Sequence, residues 1–169
     1  MSERRDLDEE SLSDQEFLLQ PGYIIFPVKK KTIYSVVTTG IVYTLFDVKK
    51  RRGGAGYFQY NRFSSKKEES TLYAYPSILT LVSLFVKSGS KRQDIVVNYY
   101  GGAFKEKASS KDRNLSTSNV KFAREVFNYI GLKIGIAETG GKIGRKIAFD
   151  SGSGNHVVAL VEDIRQSDW

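Results

Sequence analysis

Apolar and polar positions alternate between two periods along this chain, and the changes of period mark its elements. Gln20-Pro21-Gly22 is a turn signal, and Tyr23 to Phe26 after it reads as a short strand. Lys29-Lys30-Lys31 breaks the pattern. Thr32 to Asp47 is then rich in β-branched and aromatic residues, but it is too long for one ordinary strand. Gly40 near its middle predicts a bend, a bulge or a close backbone approach. Residues 48–56 read as a charged, glycine-rich turn, 57–60 as a strand and 64–71 as a solvated loop.

From Tyr73 the period lengthens. Pro76 suits a first helical turn, and Ile78, Leu81, Val82 and Phe85 fall on one face of a helix that Gly89 stops. Ile95 to Tyr100 reads as a strand ending in Gly101-Gly102, and 105–117 as a charged loop. Ser118 is placed to cap a second helix, Asn119 to Tyr129, with Val120, Ala123, Phe127 and Ile130 inward. Three short strands follow: Leu132–Glu138, Lys146–Asp150 and Val157–Val161. This order predicts an α+β domain with both helices lying on a mixed sheet. We expect a flexible acidic arm over 1–18, one domain over 19–165 and a short tail over 166–169.

Composition narrows the chemistry. The chain has 169 residues, no cysteine and one histidine, His156. That excludes disulfides, thiolate zinc sites and a cysteine nucleophile, so neither a metal nor another cofactor is expected. His156 follows a turn, SGSGN, and reads as a surface or strand-edge residue. No apolar run of membrane-spanning length occurs, and the N-terminus lacks the apolar stretch of a secretory signal, so a cytoplasmic protein is expected. The net charge is +7, unevenly spread. Residues 1–16 hold seven acids and two bases, a net −5, leaving +12 on the remainder. Such a body suits an anionic partner, or an arm that folds back on it.

Several segments, in order, resemble the CheD family. The family's strand LGSCVAVxLYD is matched by Val37 to Asp47, and its GGMxHxMLP turn by Gly53 to Asn61. Tyr73-Ala74, Gly101-Gly102-Ala103, Asn119-Val120, Thr139-Gly140-Gly141 and Gly144-Arg145 match later landmarks. The resemblance implies a CheD-like fold and a relation to receptor glutamine deamidases. In those enzymes a cysteine thiolate, activated by a histidine, attacks the side-chain amide, and an upstream threonine orients the histidine. Carried over, the cysteine falls on Gly40, the histidine on Tyr57 and the threonine on Tyr34; Thr38 and Thr39 stand where the family has glycine and serine. Glycine offers no nucleophile, and tyrosine, with a free pKa of ~10, is a poor base at neutral pH.

The resemblance therefore implies a non-catalytic binder of chemoreceptor helices or of a CheC-type phosphatase. The candidate surface comprises Thr38, Thr39, Gly40, Tyr57 and the basic run Lys49, Lys50, Arg51, Arg52. Other readings stay open: tyrosines that merely fill an old pocket, a solvated basic loop, an altered hydrolase using Thr38 or Thr39, and a basic nucleic-acid binder. Gly140 to Arg145 lacks phosphate-loop spacing and reads as a β-turn.

Overall fold

The computed structural model describes residues 15–62 and 70–162. Most of the expected arm, most of the 64–71 loop and the 166–169 tail lie outside the described residues. In chain order the elements are β1 (Glu16–Leu18), β2 (Ile24–Ile25), β3 (Thr32–Val37), β4 (Ile41–Asp47) and β5 (Arg52–Phe58). There follow α1 (Ala74–Lys87), a 3₁₀ turn (Arg92–Asp94), β6 (Ile95–Gly101) and α2 (Ser110–Tyr129). β7 (Lys133–Thr139), β8 (Gly144–Asp150) and β9 (His156–Val161) complete the set.

The strands form a four-stranded sheet, ordered β1-β3-β8-β9, and a five-stranded sheet, ordered β2-β5-β4-β6-β7. Both are mixed: β1 runs parallel to β3 and β6 to β7, and the other pairs are antiparallel. Helices α1 and α2 cover one face of the larger sheet, and the smaller sheet covers its other face. This is the α+β architecture expected, with two helices packed on sheet.

Period-2 alternation in β4 explains the layering. Ile41, Tyr43 and Leu45 point to the helices, where they meet Ile78, Leu81 and Phe85 of α1 and Phe127 of α2. Val42 and Phe46 point the other way, into a core shared with Ile33 and Val37 of β3 and Ile147 and Phe149 of β8. A strand covered on both faces is apolar on both, which is why Thr32 to Asp47 shows little polar alternation. The four inward side chains of α1 are buried as expected, and each contributes about 1.5–3 kcal/mol of transfer free energy.

Three boundaries differ from expectation, each for a physical reason. Glu16–Leu18, taken as the end of an arm, pair with Thr32, Ile33 and Tyr34. β5 starts at Arg52 rather than 57, because its glycines are places of close packing rather than a turn. A Cβ at Gly53 would meet the Phe149 ring at 2.6 Å, and one at Gly54 the Ile25 carbonyl oxygen at 2.6 Å. Helix α2 starts at Ser110, not Asn119, and its cap is Ser109. The Ser109 hydroxyl accepts from the Asp112 amide at 3.1 Å and donates to the Asp112 carboxylate at 2.8 Å. The first turns of α2 carry almost no apolar residue, so periodicity could not reveal them. Ser118 lies mid-helix.

Candidate functional site

The long β-rich stretch breaks at Thr38-Thr39-Gly40, where the chain leaves the four-stranded sheet and enters the five-stranded one. The break is held from below by the glycine pair that ends β6. The Gly102 amide donates to the Gly40 carbonyl at 2.9 Å, and the Ala103 amide to the Thr38 carbonyl at 2.7 Å. Gly101 takes φ +121°, and a Cβ there would collide with the Gly40 carbonyl oxygen. The Gly-Gly-Ala run is thus the seat of the break.

A second support comes from α2. Asn119 is fully buried, and its amide nitrogen donates to two carbonyls, Thr39 and Gln59, each at 3.0 Å. One side chain thereby ties the helix to the break and to the end of β5. Ser116, one turn earlier, donates to the Ala103 carbonyl at 2.8 Å. The sequence marked Asn119 only as the start of a helix; its anchoring role depends on a packing distance of 80 residues along the chain.

These supports bring positions 40 and 57 together. A Cβ at Gly40 would lie 2.8 Å from the Tyr57 ring, 2.7 Å from the Phe58 carbonyl oxygen and 2.7 Å from the Gln59 side-chain oxygen. Tyr57 pairs with Val42 across the β4–β5 ladder and is 3% exposed. Burial pushes its hydroxyl well above the ordinary tyrosine range. The hydroxyl is thereby favoured in its protonated form.

Beside this pair opens a groove of about 590 Å³. Thr38, Thr39, Tyr57 and Gln59 line it from the sheets; Phe104 and Lys107 line it from the segment leading to α2. Its surface is mostly apolar, with hydroxyls, one amide, two lysines and the Asp112 carboxylate also lining it.

Not every predicted position joins this cluster. Tyr34 shares a strand face with the groove-lining Val36, but it is 41% exposed and its hydroxyl turns to Glu16 on β1, at 3.4 Å. The basic run Lys49–Arg52 sits in the turn at the opposite end of the β4–β5 hairpin. Tyr57 lies five residue steps along the strand from Arg52, about 17 Å at the usual rise. The expectation that this run borders the pocket is corrected: neighbours in sequence around a hairpin strand stand at its two ends. His156 begins β9, an edge strand, as expected; its ring packs 5.9 Å from that of Tyr100. Among the described residues no cluster of three His, Asp or Glu side chains is arranged to hold a metal ion, and no described helix is long and apolar enough to cross a membrane.

A two-sheet α+β domain, with a strand break facing a hairpin strand across a groove, defines a class whose site is built where the sheets meet. The comparisons give that class its family. The model described as CheD chemotactic sensory transduction matches residues 59–159, and the chain belongs to the CheD family. The match begins two residues past Tyr57, so neither Gly40 nor Tyr57 falls within it.

Individual relatives extend the likeness over that region. A protein of Geobacter sulfurreducens named "Probable chemoreceptor glutamine deamidase CheD 2" is 26% identical over 136 residues, covering 80% of this chain and 84% of the relative. One of Methanococcus vannielii, named as a probable chemoreceptor glutamine deamidase, is 22% identical over 79% of this chain and 88% of its own length. One of Anaeromyxobacter dehalogenans, similarly named, is 27% identical over 78% of this chain and 76% of its own.

Proposed function

We infer that this chemotaxis protein of the CheD family binds a chemoreceptor helix, or a CheC-type phosphatase that resembles one, without deamidating it. One observation carries the reading: the space a side chain at position 40 would need is filled by the Tyr57 ring, the Gln59 amide and the Phe58 carbonyl. With no cysteine anywhere in the chain, attack on an amide would need another nucleophile and a base to activate it. The groove itself persists, and its apolar walls with Thr38, Thr39 and Gln59 suit a polar side chain presented from an apolar helix face. Tyr57 adds contact area at low entropy cost.

A threonine-based hydrolase is the second reading, because Thr38, Thr39 and Asp112 line the same groove. Against it, the Asp112 carboxylate is engaged by the Ser109 hydroxyl at 2.8 Å. One experiment separates the two. The protein is incubated with chemoreceptor fragments, and glutamine-to-glutamate conversion is followed as a gain of about 1 Da per site. Retention of the fragments on the immobilised protein is measured in parallel. Retention without conversion supports binding; conversion abolished by Thr38→Ala or Thr39→Ala would establish the hydrolase instead.

A further inference from the structure

The end of the molecule remote from the groove carries its own charged surface. There the β4–β5 turn meets the C-terminus of α1 and the start of the 3₁₀ turn. Residues 47–52 and 87–94 together hold seven lysines and arginines and two acids. The acids, Asp47 and Asp94, are both buried, whereas Lys50, Arg51, Lys87, Lys91 and Arg92 are exposed.

The two segments are fastened to each other. Asp47 accepts from the Lys49 and Lys50 amides, each at 2.9 Å, which shapes the turn. The Val48 amide donates to the Asp94 carbonyl at 3.0 Å, and Lys49 Nζ lies 3.1 Å from the Asp94 carboxylate. Arg52 donates to the Ser88 carbonyl at 2.6 Å and to the Ser90 hydroxyl at 3.1 Å. Lys50 Nζ lies over Gly89, 3.3 Å from where a Cβ would stand. The buried carboxylates are thus spent on backbone amides and on Lys49, and among the described residues no salt bridge joins Lys50, Arg51, Lys87, Lys91 or Arg92 to an acid.

A second observation points the same way. Arg51 has φ +53°, the only positive φ at a residue other than glycine among those described. That conformation favours glycine or asparagine and costs roughly 1 kcal/mol in other residues. Strained backbone of this kind clusters at functional contacts.

We propose that this tip is a second interaction surface, distinct from the groove, that takes an acidic amphipathic polypeptide segment. Its cations would meet the carboxylates. Val48 and Val86, 50% and 43% exposed at the same tip, would meet the apolar face. Nucleic acid fits less well. The aromatic rings beneath the patch are already covered, Phe46 by Arg51 at 5.8 Å and Phe26 by Arg52 at 5.4 Å. Among the described residues no open ring of this tip is left for a base to stack on.

The test is fluorescence anisotropy with a labelled synthetic helix carrying glutamates on one face and leucines on the other. A single-stranded DNA of equal charge and phosphatidylserine vesicles are run beside it at one salt concentration. The expected result is that the peptide binds the full chain more tightly than either rival probe. The quadruple change Lys50→Gln, Arg51→Gly, Lys87→Gln, Lys91→Gln weakens it on the order of tenfold, with the circular dichroism spectrum unchanged. The groove change Lys105→Gln with Lys107→Gln leaves it within about twofold. Peptide affinity insensitive to the quadruple change, loss through the groove change instead, or tighter binding of DNA or vesicles would each overturn the proposal. Should the quadruple variant misfold, Arg51→Gly with Lys91→Gln replaces it. That pair puts glycine at the strained site and alters one exposed lysine, and the same loss of affinity is required of it.

Discussion

The Tyr57 ring stands where a side chain at position 40 would have to go, 2.8 Å from a Cβ built on Gly40. The two residues are seventeen apart in sequence and are brought together by the β4–β5 pairing of Val42 with Tyr57. Restoring a thiol alone at position 40 must therefore displace an aromatic ring in a packed core. It must also push against the Phe58 carbonyl, which is backbone and yields little. Gly40→Cys is expected to destabilise the fold by about 1–3 kcal/mol, the usual range for overpacking. Adding Tyr57→His replaces the phenol with the smaller imidazole and should recover part of that loss. Urea denaturation of the two variants measures the difference; equal stability of both would mean that the ring already has somewhere to move.

Asn119 gives a sharper handle on the same site. Its amide serves two backbone carbonyls, Thr39 and Gln59, at the break and at the end of β5. Asn119→Ala leaves both without this donor and should cost about 2–4 kcal/mol. Asn119→Asp should cost more, because it sets a carboxylate against two carbonyl oxygens. Hydrogen exchange at the Thr39 and Gly40 amides should accelerate in both variants while exchange in β8 changes little, since β8 lies in the other sheet.

Much of this architecture was legible in the sequence, and the limits are instructive. The inward face of α1 and the break at Gly40 followed from period and composition alone, because in both places the pattern reports burial directly. The first turns of α2 were hidden because Ser109, Asp112 and Ser116 stabilise them by hydrogen bonds, which leave no apolar period. The glycines of β5 imitated a turn because what requires them, the Phe149 ring and the Ile25 carbonyl, lies far away in sequence. At the site, the family resemblance set positions 40 and 57 together, and the β4–β5 pairing brings them into contact. The separation of Lys49–Arg52 from them needed the hairpin register. The anchoring by Asn119 could have been guessed only from the polar character of a residue on an otherwise apolar helix face.

The turn between β8 and β9 supplies a pH prediction. The Asp150 carboxylate accepts from the Ser153 amide at 2.9 Å and the Gly152 amide at 2.7 Å. Those bonds, the Ser153 one foremost, with Lys30 nearby, outweigh the effect of burial and hold the Asp150 carboxyl below its ordinary range. A group whose pKa is lowered by folding contributes stability above its unfolded value, near ~3.9, and loses it as pH falls through the folded value. Asp150→Ala should therefore cost about 1 kcal/mol at neutral pH, and the gap from the parent protein should close below about pH 4. Thermal melts at several pH values test this. A gap that persists undiminished in acid would mean the turn depends on Asp150 for something other than its charge.

Arg51 makes the last prediction, and it separates a residue kept for folding from one kept for contact. Its φ of +53° is unfavourable for an arginine side chain, and Gly in its place should recover about 1 kcal/mol. Against that stands the loss of its guanidinium over the Phe46 ring, 5.8 Å away, worth about 0.5 kcal/mol at an exposed position. Arg51→Gly should thus raise the midpoint of thermal unfolding by about 1–2 °C, as ~0.5 kcal/mol implies for a domain of this size. The same change removes a charge from the basic tip and should lower affinity for an acidic peptide. Opposite signs in the two measurements are what a site held at the expense of stability produces. If stability falls instead, the ring contact outweighs the strain, and Arg51 is explained by packing alone.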